Sequence, residues 1–200
     1  MIKKVKKKRE NFFRENYSKS WGYIKESRNF IWSIVALFFI SVIVGFLYQP
    51  QIVIDAILSY IKDILAKTEG MSSLRMIGFI FINNIQSGFF GIVLGILLGL
   101  FPVLATFANG YIVGYVSSSA ISSSGAISLL SLIPHGIFEL PAIFISFGMG
   151  LKFGTFIFYK DKIKHFNKFF INSLRVFVFV VLPFLIIAAI IEGCLISFLK

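Results

Sequence analysis

Charge is what this chain has least of. Only 14% of its 200 residues are Asp, Glu, Lys or Arg, 57% are hydrophobic, and the mean hydropathy is +0.86. Soluble domains carry about 25% charged residues, so the composition excludes an ordinary soluble fold and points to an integral membrane protein, with one folded unit expected at this length. Negative charge is scarcest: nine acidic residues stand against twenty Lys and Arg, for a net charge of +11. The single cysteine, Cys194, excludes an intrachain disulfide and leaves the redox compartment open. A cleavable leader is not expected, because the first apolar run starts near Ile31 behind a long basic segment and lacks a small-residue cleavage site.

Half of the Lys and Arg lie between Lys3 and Arg28. Nucleic-acid binding is one use of such an arm. In an apolar chain, a juxtamembrane segment facing anionic headgroups is the expectation, each cation contributing roughly 1 kcal/mol. Phe12, Phe13, Trp21 and Tyr23 interleave with the charges, as in a helix on a bilayer surface. Residues 1–29 therefore read as a basic cytoplasmic segment and residues 30–200 as a single transmembrane domain.

The expected fold class is all-α, a polytopic membrane helix bundle of about five spans. A span needs about 20 residues. Residues 30–48 supply the first, bracketed by Trp32 and Tyr48 and stopped by Pro50. Residues 51–67 are too polar to cross. Ile54, Ile57, Leu58, Ile61 and Leu65 share one helical face, with Asp55, Ser59, Lys62 and Asp63 on the other, which predicts an external amphipathic helix. Residues 77–116 hold two spans, with the turn expected at Leu100, Phe101 and Pro102. Residues 117–125 read as a serine-rich loop. Residues 126–133 are apolar but too short to cross, and either fold with the next segment into a re-entrant hairpin, the favoured reading, or form one kinked span. Residues 137–158 cross, with Lys152 snorkelling toward the near surface. Residues 159–175 read as a basic loop, and residues 176–199 as the last span, kinked at Pro183, with Glu192 at its interface.

The basic arm and the basic loop share a side. The positive-inside rule makes that side cytoplasmic, so the amino terminus lies inside a plasma membrane and the carboxyl terminus outside. Gly91, Gly95 and Gly99 form a four-residue ladder, and Gly110 and Gly114 a shorter one, spacings that let helices approach closely. They pack either within the chain or across a homodimer.

The densest chemistry is PHGIFELP, residues 134–141. An ionisable residue in a span costs roughly 2.5–3.5 kcal/mol, so His135 and Glu139, one helical turn apart, need partners. Pro134, Gly136 and Pro141 predict a helix break, Pro141 starting the new helix. The amides of Asn83, Asn84, Gln86 and Asn109 also need partners in lipid, and Asn83, Asn84 and Asn109 are expected to gather with His135 and Glu139 in one polar cluster. Two ligands do not make a metal site. His165 falls on the other side of the membrane, and no flanking motif supports a catalytic serine among Ser118, Ser119 and Ser122 to Ser124. No catalytic residue, metal or cofactor is therefore expected. The cluster either caps and pairs structurally or lines a transport route.

Several of these features together resemble the stage II sporulation protein M family: Asn83-Asn84 opening a span, the glycine run 91–99 with Pro102, Asn109-Gly110 with Gly114, and PHGIFELPAI followed by Gly148, Gly150 and Gly154. The resemblance covers most of the chain from Ile31 on. It implies a polytopic, non-enzymatic scaffold or assembly component working with other membrane proteins in an envelope complex. It does not bring sporulation with it. A small channel or transporter-like protein built around the polar cluster is the other functional reading.

The topology makes a direct prediction. Single cysteines introduced at Ser59 and Lys162, in a Cys194→Ala background, should react with a membrane-impermeant reagent from opposite sides of the bilayer; reaction of both from one side would refute five crossings.

Overall fold

A computed structural model describes residues 2–125 and 133–198, and among them every regular element is helical. Five helical stretches are long and apolar enough to cross a membrane. Helix α1 (Ile2–Glu26) runs with a hinge at Ser27 into α2 (Arg28–Leu47), the first span. Pro50 ends that run and takes the cap position of α3 (Gln51–Thr68), where its missing N–H costs nothing. Spans α4 (Ser73–Val93) and α5 (Leu100–Ser124) follow, then α6 (Ile133–Gly154), and finally α7 (Lys162–Val176), which continues through one π-helical turn into α8 (Leu182–Phe198).

Glycine seams set the packing. A Cβ on Gly95 would collide with the Gly150 backbone, one on Gly150 with the Gly91 carbonyl, and one on Gly154 with Gly95 and Gly99. The backbones of α4 and α6 therefore touch, and no lumen separates them. A second seam joins α2 to α5, with Gly45 against Tyr111, Gly110 against Phe38 and Ser41, and Gly114 against Val42. Without a hydrophobic drive inside lipid, such approach supplies the dispersion contacts that hold spans together. The three-glycine ladder is thus filled by this chain's own α6. Gly148 meets Ile31, so α6 also packs on α2, and it is the most enclosed of the spans.

Several elements differ from expectation, each for a local reason. The turn between α4 and α5 comes before Pro102. A 3₁₀ turn (Leu94–Ile96) leads to Leu98 and Gly99, both with positive φ (56° and 72°). Pro102 then lies buried in the first turn of α5, where a proline is welcome. The serine-rich stretch stays helical to Ser124, and its hydroxyls are satisfied on the helix itself by bonding back to carbonyls of the preceding turn, as Ser122 does to Ser118 at 2.9 Å. On α3 the inward positions are Val53, Ile54, Ile57, Ile61 and Ile64, while Leu58 and Leu65 are exposed.

The basic "loop" is a helix. Phe166, Phe169, Phe170, Ser173 and Val176 recur every three or four residues along α7 and turn inward, with Lys162, Lys164 and Lys168 outward. Pro183 acts one turn earlier than it sits: it cannot donate to Phe179, and the helix widens into the π turn Phe177–Val181, with Leu182 donating to the Phe177 carbonyl.

The α1 positions Asn16, Ser20 and Tyr23 form one stripe that continues to the hinge at Ser27, and buried Tyr23 belongs to the same core as Ile92, Phe153, Phe169 and Val181. Phe12 and Phe13 meet Phe179 with ring centroids 6.2 and 6.1 Å apart. Helix α1 is therefore part of the packed bundle, antiparallel to α7.

Gly95→Leu or Gly150→Ala should lower the thermal unfolding midpoint in detergent, by about 1–3 kcal/mol of overpacking or more because backbone rather than side chain stands in the way. Gly22→Ala, at a position with open space, serves as the neutral control.

Candidate functional site

Helix α6 carries an ionisable residue near each end, Glu139 and Lys152, and touches α2, α4, α5, α7 and α8. The end that holds α1, α7 and Lys152 is the basic end of the bundle; Glu139 lies toward the other.

PHGIFELP does not break the helix as expected. Helix α6 begins at Ile133, so Pro134 is the first-turn proline and Pro141 lies inside the helix. Pro141 removes the backbone donor that would bond the Ile137 carbonyl. Among the described residues, the Leu140 side chain lies near the position a Cβ on Gly136 would take. Residues 126–132, which the re-entrant hairpin would use, and the His135 side chain lie outside the described residues.

The described members of the polar cluster are placed as follows. Glu139 is half-buried on α6, seven residues before Ser146, about 10 Å along the helix. Asn84 is buried on α4 one turn before Gly88, and Gly88 faces Ser146 and Phe177. Asn83 and Gln86 are exposed. Asn109 does not join the others: its exposed amide donates to the Ala105 carbonyl at 2.8 Å, satisfying itself on its own helix. Among the described residues no three His, Cys, Asp or Glu side chains come together.

The strongest polar constellation is at the other end of α6. Lys152 does not snorkel. Its side chain is 5% exposed, and its Nζ donates to Glu26 Oε1 and to Ser27 Oγ, both at 3.0 Å. The ammonium also lies 4.2 Å from the Tyr23 ring centroid and 5.4 Å from that of Phe169. A desolvated cation over an aromatic face gains about 2 kcal/mol, and the carboxylate supplies the counter-charge a buried cation requires. Glu26 is half exposed and also receives Lys168 at 3.5 Å. Partial burial pushes the Glu26 carboxyl upward, but the Lys152 hydrogen bond and the charges of Lys152 and Lys168 outweigh it and hold it below the usual range. Burial raises the Tyr23 hydroxyl, which sits beside Ser173 without completing a hydrogen bond.

Charge counting missed this site. The partners Glu26 and Lys152 are 126 positions apart. The available signal was a lone lysine among PAIFISFGMGLKFG with no local acid, and a lone Glu closing a basic helix.

With the arrangement of glycines, asparagines and α6 in view, the comparison with known proteins is decisive. The family model described as stage II sporulation protein M matches residues 34–195. The chain belongs to the stage II sporulation protein M family. An uncharacterized protein of Methanocaldococcus jannaschii is 31% identical over 179 residues, covering 82% of this chain and 76% of its own length. No solved structure matches. The matched region takes in both glycine seams, Asn83, Asn84, Glu139 and Lys152, while Glu26 and Tyr23 precede it.

Glu26→Gln should destabilise more than Lys152→Met. The first strands a buried cation, costing about 1–3 kcal/mol after allowance for Glu26 exposure; the second removes that cation and leaves Glu26 with Lys168. Because the folded carboxyl lies below its ordinary 4.5, its contribution is present above that pH and is lost as pH falls through the depressed value. The difference in melting temperature between wild type and Glu26→Gln should therefore shrink as the solution is acidified below about pH 4.5.

Proposed function

We propose that this member of the family is a non-enzymatic membrane scaffold that organises partner membrane proteins of the cell envelope. The observation that carries the reading is the locked α1–α7 pair. Two amphipathic helices outside the apolar spans are joined without loops to α2 and α8 and fastened to the central helix through Lys152. Their association keeps Trp21, Tyr17, Ile163 and Phe158 exposed at the basic end, where a rigid platform favours partner docking. The excess of Lys and Arg there supports a cytoplasmic orientation of that end in the plasma membrane. Touching backbones along the α4–α6 seam favour an organising role over conduction.

Two measurements test the reading together. A membrane partner should co-purify at fixed stoichiometry, and its yield should fall when Tyr23→Ala loosens α1 while the spans remain folded. The purified protein in vesicles should pass no selective ion or proton current. Selective flux abolished by Glu139→Gln would overturn the scaffold reading in favour of transport.

A further inference from the structure

Arg175 is the last cation before the uncharged stretch 176–191, about 24 Å of helix at 1.5 Å per residue. It therefore sits at the level where spanning helix meets headgroups. Its guanidinium is half-buried between α1 and α7. Nε donates to Asn16 Oδ1 at 3.0 Å and Nη1 to Asn172 Oδ1 at 2.5 Å. Both acceptors are neutral. The ion pairs among the described residues are Lys19–Glu15, Lys152–Glu26 and Lys168–Glu26, and none takes Arg175. Glu15, the acid nearest Asn16 in sequence, is held by Lys19 at 2.6 Å and feels the Arg175 charge without pairing with it.

A guanidinium has five N–H donors in a fixed fork. Two are committed here, and they orient the rest. One turn further along, Phe179 meets Phe12 and Phe13 of α1, both more than half exposed, so an aromatic wall flanks the fork on its membrane side. The charge around it is lopsided: within residues 11–30 and 150–176 ten Lys and Arg face three acids, Glu15, Glu26 and Asp161. Two basic helices pack against each other with a cation between them and too little negative charge to match.

We propose that Arg175, aimed by Asn16 and Asn172, binds the phosphate of an anionic bilayer phospholipid, whose acyl chains lie along Phe12, Phe13 and Phe179. The planar fork suits a phosphate better than an ammonium would. The bound lipid bridges α1 and α7 and supplies the missing negative charge. The site is independent of the scaffold reading, since it requires only that the bundle span a bilayer.

Native mass spectrometry of the full chain in a non-ionic detergent, titrated with phosphatidylglycerol, phosphatidylcholine or inorganic phosphate, tests the proposal. Wild type should retain one phosphatidylglycerol in preference to phosphatidylcholine. Arg175→Gln should weaken that retention by about tenfold or more, the loss of one charge-assisted contact, Arg175→Lys should weaken it less, and Lys162→Gln/Lys164→Gln should keep it. Equal retention by Arg175→Gln would overturn the site. So would loss in the Lys162→Gln/Lys164→Gln protein as large as in Arg175→Gln, which would mean a diffuse basic surface, or displacement by inorganic phosphate, which would mean a simple anion site. Should Arg175→Gln fail to fold, wild type alone decides: phosphatidylglycerol must raise its melting temperature more than phosphatidylcholine does, and equal shifts refute the proposal.

Discussion

A lysine on the most enclosed helix of a membrane bundle cannot keep its charge alone, and the arrangement of the basic end follows from that fact. Lys152 is too buried to reach water, so a carboxylate has to come to it. Glu26 comes from the end of α1 and brings that helix with it. Tyr23 then closes over the ammonium, Ser27 accepts its second hydrogen bond, and the stripe through Asn16 and Ser20 is laid along α7. The position of α1 is thus fixed by an electrostatic requirement inside the bundle more than by attraction to the bilayer surface. Lys152 is buried in turn because the glycines of α6 draw α4 against it and because α2 closes on Gly148.

What the sequence made legible was whatever depends on neighbours in the chain. Long apolar runs marked the spans, Pro50 marked the end of the first, and four-residue glycine spacing marked the seams. The family resemblance rested largely on residues whose physical reason is now visible: Gly91, Gly95 and Gly99 are one side of the α4–α6 seam, and Gly150 and Gly154 are the other. What was hidden depended on context. Pro102 and Pro141 look alike as helix breakers, yet one opens a helix and the other sits within one. Serines near 120 resemble a loop until their hydroxyls find carbonyls of the preceding turn. The lysines of α7 drew attention away from the phenylalanines between them, which carry the periodicity. Of the expected polar cluster, Asn84 and Glu139 are turned at least partly inward and Asn109 outward, a difference set by which face of each helix meets a neighbour.

The π turn before Pro183 and the hinge at Ser27 play matching parts. Each lets a membrane helix continue into an amphipathic one without a loop, and the two amphipathic helices pack against each other at the edge of the bundle. A loop at either place would uncouple the helix from its span.

The 126-position separation of Glu26 and Lys152 also imposes an order on biosynthesis. The acid leaves the ribosome first, on a helix whose inward stripe through Asn16, Ser20 and Tyr23 has no α7 yet to pack against. The base follows only after three spans have been made, on a fourth that must enter lipid carrying a positive charge. A carboxylate already present at the mouth of the membrane lowers the cost of that entry, because the buried cation has its counter-charge at hand.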